Sequence, residues 1–185
     1  MPNIIIGKDG VFQNGFFSTD FTEGGLRYEW HNLGPGVTAD EATMDSHFIG
    51  SPDGSGIRTT IINWSNVGYT QSQPAYLPAI RWAWKAEGQI FLPENGTYNF
   101  AVDCDDAADM FVDKVNVSNR YGAGAPELNY SSPNIIKTPL TRNSGWYDFK
   151  VRLRQGSSGS TLSVAWNKPS DSSYGVIPVN RFRYN

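Results

Sequence analysis

An all-β fold is what the chain predicts, and three observations carry the prediction. Aromatic residues make up 14% of its 185 residues, and 19 glycines and 11 prolines punctuate it, the composition of short strands separated by turns. Several segments alternate apolar and polar residues with a period of two, the spacing of a strand with one wet face. No window keeps apolar residues at i, i+3, i+4 and i+7 for three turns, so no long helix is expected.

The elements follow in order. Segment 1–24 has its own glycine-punctuated pattern and reads as an extension, either an edge strand with a turn or a docking arm for a larger assembly or homo-oligomer. IRTTIINW (57–64) is a less regular strand, and AIRWAW (79–84) sets Ile80, Trp82 and Trp84 on one face. In LPENGTY (92–98) the pair Asn95-Gly96 lies between apolar strands, a strong hairpin signal. GTYNFAVDC (96–104) turns Tyr98, Phe100, Val102 and Cys104 inward, and MFVDKVNV (110–117) reads as one strand. From Ser118 to Arg142 runs a long loop rich in Gly, Pro, Asn and Tyr, the kind that covers an edge or carries function. WYDFKVRLR (146–154) sets Tyr147, Phe149, Val151 and Leu153 against Asp148, Lys150, Arg152 and Arg154. A polar loop, RQGSSGST (154–161), predicts a second hairpin into STLSVAW (160–166).

Composition also excludes. One domain with a full core fits this length. A net charge of -3 and a pI near 5.3 argue against a nucleic-acid partner, and the basic residues form no run that would favour an anionic membrane. No apolar stretch reaches the ~20 residues of a transmembrane helix. Cys104 is the sole cysteine, so packing and not a disulfide must hold the fold. MPNIIIGKDG is not a signal peptide, which predicts a chain that stays in the cell or leaves without a leader, as a virion component would.

One stretch demands a chemical account. AVDCDDAADMFVD (101–113) places Asp103, Asp105, Asp106, Asp109 and Asp113 within eleven positions. Two carboxylates about 4 Å apart repel by roughly 4 kcal/mol at an effective dielectric near 20. Splaying into water as a solvated acidic turn removes some of that cost; a cation held between them removes all of it. The same residues pose a hydrolase question, since Asp103 and Asp105 share a strand face at a spacing a glycosidase pair can use. A polar turn lacks the apolar pocket that raises an acid's pKa, so catalysis ranks last and the expectation is a non-enzyme.

Three segments in fixed order resemble PA14-type domains. AIRWAWKAEGQIFLPENGTYNFAVDCDDAADMFVDKV is similar to the family's central signature, with its tryptophan strand, "GtYxF" and Asp-Asp pair; WYDFKVRLRQGSSGSTLSVAWNKP resembles its last hairpin; GVIPVNRFRY resembles its C-terminal segment. GLRYEWHN (25–32) is a looser match to the opening strand, so the domain would span 25–185. The resemblance implies an antiparallel β-sandwich. For its lectin-like branch, the flocculins and bacterial adhesin modules, it implies a calcium-dependent carbohydrate-binding module for a glycan or cell-surface polysaccharide, displayed on a cell or virion surface. The alternative is a structural virion protein, of a phage tail or baseplate, that uses the sandwich without a ligand.

Carried onto this chain, the resemblance makes Asp105 and Asp106 a cis-linked pair holding Ca²⁺ together with two sugar hydroxyls. Calcium takes six to eight oxygens. Flocculins complete the shell with a side-chain amide and carbonyls from the last hairpin loop. Here that loop has no Asn or Asp, so Gln155 stands for the amide and Gly156 or Ser157 for the carbonyl, with Ser158 beside the sugar. Asp113 matches a strand aspartate with a structural role. Asp103 and Asp109 are expected as surface charges. Tyr69, Tyr121, Tyr130 and Tyr174 fall in loops where a ring can stack on a sugar, Tyr121 and Tyr174 being the chosen pair, while Trp82, Trp84 and Trp166 are expected in the core. His31 and His47 lack any zinc spacing, and Cys104 reads as a small core residue.

Overall fold

The computed structural model describes residues 6–7, 10–11, 21–34, 41–65, 72–122, 126–127, 129–156 and 159–185. In chain order the strands are β1 (Ile6–Gly7), β2 (Gly10–Val11), β3 (Thr22–Glu23), β4 (Leu26–Asn32), β5 (Gly54–Arg58), β6 (Asn63–Ser65), β7 (Trp82–Leu92) and β8 (Gly96–Asp105). They continue as β9 (Ala107–Val112), β10 (Val115–Arg120), β11 (Ile136–Lys137), β12 (Leu140–Arg142), β13 (Gly145–Gln155), β14 (Thr161–Asn167), β15 (Gly175–Val176) and β16 (Phe182–Tyr184). A six-residue helix, α1 (Glu41–Ser46), lies in the stretch where no periodicity was legible.

Two antiparallel sheets form the sandwich. The larger runs β11-β10-β9-β13-β7-β16-β3, with β4 also on β7 and β5 on β4. The smaller runs β12-β8-β14-β15, with β6 on β14. The long central pair of the larger sheet is β13 with β7, in register from Gly145 against Leu92 to Gln155 against Trp82. Between the sheets lie Trp82, Trp84, Tyr98, Phe100 and Trp166, in the core as expected, together with Trp64. Trp64 of the small sheet meets Trp84 of the large one edge to face, centroids 5.3 Å apart, the arrangement aromatic quadrupoles favour. Each such fully buried side chain adds about 2–3 kcal/mol of transfer free energy, so these aromatics hold the layers together without a disulfide.

Three expectations about connections are corrected. Asn95-Gly96 is not a hairpin turn: β7 belongs to the large sheet and β8 to the small one, so this corner carries the chain between layers. Gly96 adopts φ +138, and a Cβ there would lie 2.8 Å from Pro169 Cγ. Tyr98 Oη clamps the corner, accepting from the Glu94 amide and donating to its carbonyl, both at 2.9 Å. The loop after Gln155 crosses between sheets as well, because β13 and β14 are in different layers. MFVDKVNV, in turn, is a hairpin and not one strand, with Asp113 and Lys114 both left-handed (φ 51 and 66), as a type I′ turn requires. Ile80 also departs from its expected face: Arg81 has φ 58, which breaks the alternation before β7, and Ile80 is 44% exposed.

At the N-terminus, β1 pairs with β2, and β3 adds to the C-terminal strand β16. Residues 22–23 are therefore part of the large sheet. Residues 1–5, 8–9 and 12–20 of the expected docking arm lie outside the described residues, as does Tyr69.

Candidate functional site

The acidic cluster sits where the chain swaps sheets twice, side by side. Strand β8 ends at Asp105, opposite Thr161 of β14. One residue later β9 begins in the other layer, with Ala107 opposite Arg154 of β13. The 156–160 loop makes the return crossing, from β13 back to β14. Asp106 is thus flanked by that loop, and the Asp105–Asp106 peptide is cis.

Backbone freed from the ladders is taken up locally. The Gly156 N–H donates to Asp106 Oδ2 at 2.6 Å, and the Gly156 carbonyl accepts from the Arg81 amide at 3.0 Å. Arg154 Nη1 stands 3.4 Å from the same Asp106 Oδ2. Gly156 is required by this packing, since a Cβ would fall 2.8 Å from Asp106 Oδ2 and 3.0 Å from Arg154 Nη1. Asp106 is 8% exposed, a carboxylate held by one amide and one guanidinium.

Asp105 has no such support. Burial, the Asp106 charge beside it and a hydrogen bond to that carboxyl push its carboxyl up to about 6. Arg120 acts the other way but more weakly. Ionising Asp105 beside Asp106 is therefore costly.

The remaining aspartates correct the expectation of surface charges. Asp103 and Asp109 are both 0% exposed. Asp103 accepts the Glu127 amide at 2.9 Å, with Arg120 Nη1 at 4.0 Å. Asp109 takes a two-pronged contact from Arg152, Nε to Oδ1 at 2.8 Å and Nη2 to Oδ2 at 2.7 Å, and accepts the Tyr121 hydroxyl at 2.7 Å. Arg152, expected on a wet face, is 2% exposed and also meets Asp45 next to the end of α1. Asp113 holds its turn through Arg142, with Nε at 3.0 Å and Nη2 at 2.9 Å.

The other expected ligands divide. Gln155 is fully buried, and its Nε2 donates to the Gly159 carbonyl at 3.1 Å, bracing the crossing loop from within. Gly156 meets Asp106 through its amide N–H. Ser157 and Ser158 lie outside the described residues. Tyr121 directly follows β10 at the acidic end of the large sheet, with its hydroxyl on Asp109, and lines a groove of about 560 Å³ with Arg120, Glu127 and Asn134. Tyr174 is not brought to the pair. It lines a second cavity with Asn99 and Asn167, six residues from Asp105 along β8 and from Thr161 along β14, about 20 Å at strand rise.

The histidines are packed. His31 sits 3.4 Å from Glu29 and edge-on to Phe48, while burial and then Arg154 and Arg152 hold His47 below its ordinary range. Burial pushes the Cys104 thiol far up, so it is an inert core group. Sequence reasoning missed Arg154 and Glu127, whose signal was only a charge on a presumed wet face or in a loop.

Calcium fits this donor set in part. Two adjacent carboxylates, one of them costly to ionise alone, suit a hard divalent cation. Arg154 already occupies one Asp106 oxygen, and no group of three acidic, histidine or cysteine side chains converges among the described residues. A shell would need oxygens from the crossing loop and from a ligand.

Comparison with known proteins agrees with this architecture. The family model of the PA14 domain matches residues 33–180. The PA14 domain of the antifreeze protein MpAFP superposes with a TM-score of 0.67 at 13% identity, over 94% of this chain and 96% of that one. A PA14 sugar-binding domain from an RTX adhesin gives 0.66 at 14% identity, over 89% and 100%. The A domain of epithelial adhesin 9 from Candida glabrata, solved in complex with Galβ1-4GlcNAc, gives 0.65 at 13% identity, over 91% and 92%. No curated protein matches the chain. At these identities the likeness to solved structures concerns the fold.

Proposed function

This chain belongs to the PA14 domain family, and from that premise we propose that it is a non-enzymatic carbohydrate-binding module whose Asp105–Asp106 pair anchors a glycan through calcium. The observation that carries the reading is the pair itself: two adjoining carboxyls at a double sheet crossing, one of them raised to about 6 by burial and by its neighbour's charge. A bound calcium ion would neutralise that charge and offer coordination sites to vicinal sugar hydroxyls. Asp105 and Asp106 would hold it, with Gly156 beside them. Tyr121 stands at the same end as a candidate contact for the glycan.

Support for a binder over a hydrolase comes from Asp103. It is fully buried, tied to the Glu127 amide and faced by Arg120, so its carboxylate is engaged within the fold and not open to a substrate beside Asp105. Solved structures of the same fold include a sugar-binding domain from an RTX adhesin and an epithelial adhesin domain, which supports surface display for adhesion. No helix among the described residues is long and apolar enough to cross a membrane.

Thermal melting tests the calcium anchor. At a calcium concentration one hundred times Kd the gain is ~2.7 kcal/mol, or about 5–10 °C for a chain of this size. Asp106→Asn is expected to abolish the gain, and a glycan array read with and without chelator then identifies the sugar. No shift with calcium or magnesium would sink this reading in favour of a sandwich used for assembly alone.

A further inference from the structure

We propose that the outer face of the small sheet carries a saccharide subsite of its own, built around Tyr130 and Tyr174, which takes a neutral, hydroxyl-rich sugar and stands apart from the acidic pair. The site is a cavity of about 460 Å³, within the size of small-ligand pockets. Its two tyrosine rings lie 6.1 Å apart with their planes tilted by 44°. They pack against each other as a tilted aromatic pair and both line the cavity, an aromatic wall against which the C–H surface of a pyranose can lie.

The polar lining selects the class of ligand. Asn99, Asn129 and Asn167 contribute side-chain amides and three serines contribute hydroxyls, and among the described residues no charged side chain lines the cavity. Phosphate or carboxylate ligands are held by arginine or lysine forks, which this lining lacks. A sugar hydroxyl both donates and accepts, and an asparagine amide answers both. Asn99 and Asn167 face each other across β8 and β14, presenting their amides from paired positions of rigid strands. Neither the Asn99 amide nor the Tyr174 hydroxyl has a hydrogen-bond partner among the described residues.

The opposite wall is fixed in advance. Tyr130 Oη shares a hydrogen bond with Ser163 Oγ at 2.5 Å, and Lys137 Nζ donates to the Tyr130 carbonyl at 3.0 Å. Asn129 Oδ1 accepts the Ser131 amide at 3.0 Å, locking the turn. Preorganisation of this kind lowers the ordering cost of binding. Asn99 and Asp105 share one face of β8 about 20 Å apart, so an extended oligosaccharide that reached both would bind with the avidity of two linked contacts.

An NMR titration of the full chain in metal-free buffer tests this, with lactose, maltotriose and cellotriose as neutral probes and sialyllactose as the charged one. At least one neutral sugar is expected to shift the Asn99 and Asn167 side-chain amides. Tyr174→Ala should weaken that binding roughly three- to tenfold, the worth of one ring's contact, and Asn99→Ala, which leaves the strand backbone intact, should weaken it too. Asp106→Asn should leave it unchanged. Silence of these amides with every neutral sugar, preference for sialyllactose alone, or indifference to both Tyr174→Ala and Asn99→Ala would each overturn the subsite. Because the titration omits calcium, its failure is separable from failure of the Asp105–Asp106 anchor.

Discussion

Replacing Arg152 by methionine should produce the largest stability loss available on the polar face of the large sheet. Arg152 and Asp109 are 2% and 0% exposed and joined by two parallel hydrogen bonds. Methionine preserves much of the side-chain length and leaves the Asp109 carboxylate buried with the Tyr121 hydroxyl as its remaining described donor. Removing one member of a buried pair costs about 3–5 kcal/mol, chiefly because the surviving charge is stranded. The contact to Asp45, whose side chain is 75% exposed, adds little. For a chain of this size the melting temperature should fall by about 6–20 °C. Urea denaturation at pH 7 measures the loss directly. Pairing Arg152→Met with Asp109→Leu should recover most of it, since an apolar pair needs no charge compensation. A single-variant loss below about 1 kcal/mol would refute the premise that this ion pair is buried and dry.

Other expectations follow from the same geometry. The Asp105 carboxyl sits at about 6, above its ordinary value near 4, so the folded chain binds the extra proton and loses stability as pH rises through that window. Discounted for partial exposure this is about 1 kcal/mol, and melts in metal-free buffer should find Asp105→Asn the more stable form at pH 7 and equal at pH 4. Gly156→Ala should shrink the calcium-induced melting shift, because the new methyl group displaces the Asp106 carboxylate. Tyr98→Phe should cost about 1–3 kcal/mol in urea melts by leaving the Glu94 amide and carbonyl without the corner hydroxyl.

What could be read from the chain, and what could not, divides along one physical line. Alternation located Tyr98, Phe100, Val102 and Cys104 correctly because the core they face is apolar. Asp103, Asp109 and Arg152 alternate out of that core as expected, yet they are buried by partners that periodicity cannot see: the Glu127 segment over Asp103, and the facing register of β9 and β13 that sets Arg152 opposite Asp109. Turn chemistry had a similar limit. Asn95-Gly96 does mark a sharp reversal, but a local signal does not say whether the next strand returns to the same sheet or to the other one. Asp113-Lys114, without a glycine, hid a type I′ hairpin that the left-handed backbone of both residues reveals. Tyr174 falls in a loop, and the sequence does not say at which end of the sandwich that loop lies; strand register sets its cavity about 20 Å from the acidic pair.

The double crossing also determines which substitution can interrogate the pair. Asp106 has two separable duties: Oδ2 ties the return loop through the Gly156 amide, and the carboxylate charge balances Arg154 and would face a cation. Asparagine keeps an acceptor for the amide and removes the charge, whereas alanine removes both. If the tie alone matters, Asp106→Asn should melt near the parent and retain any calcium response, while Asp106→Ala should melt lower. If the charge matters, the two variants should lose the calcium response equally, and only alanine should lose the metal-free stability of the loop, by about 1–3 kcal/mol for the stranded amide. Melting curves of the two variants with and without calcium therefore distinguish an aspartate that stitches two sheets from one that also holds a metal.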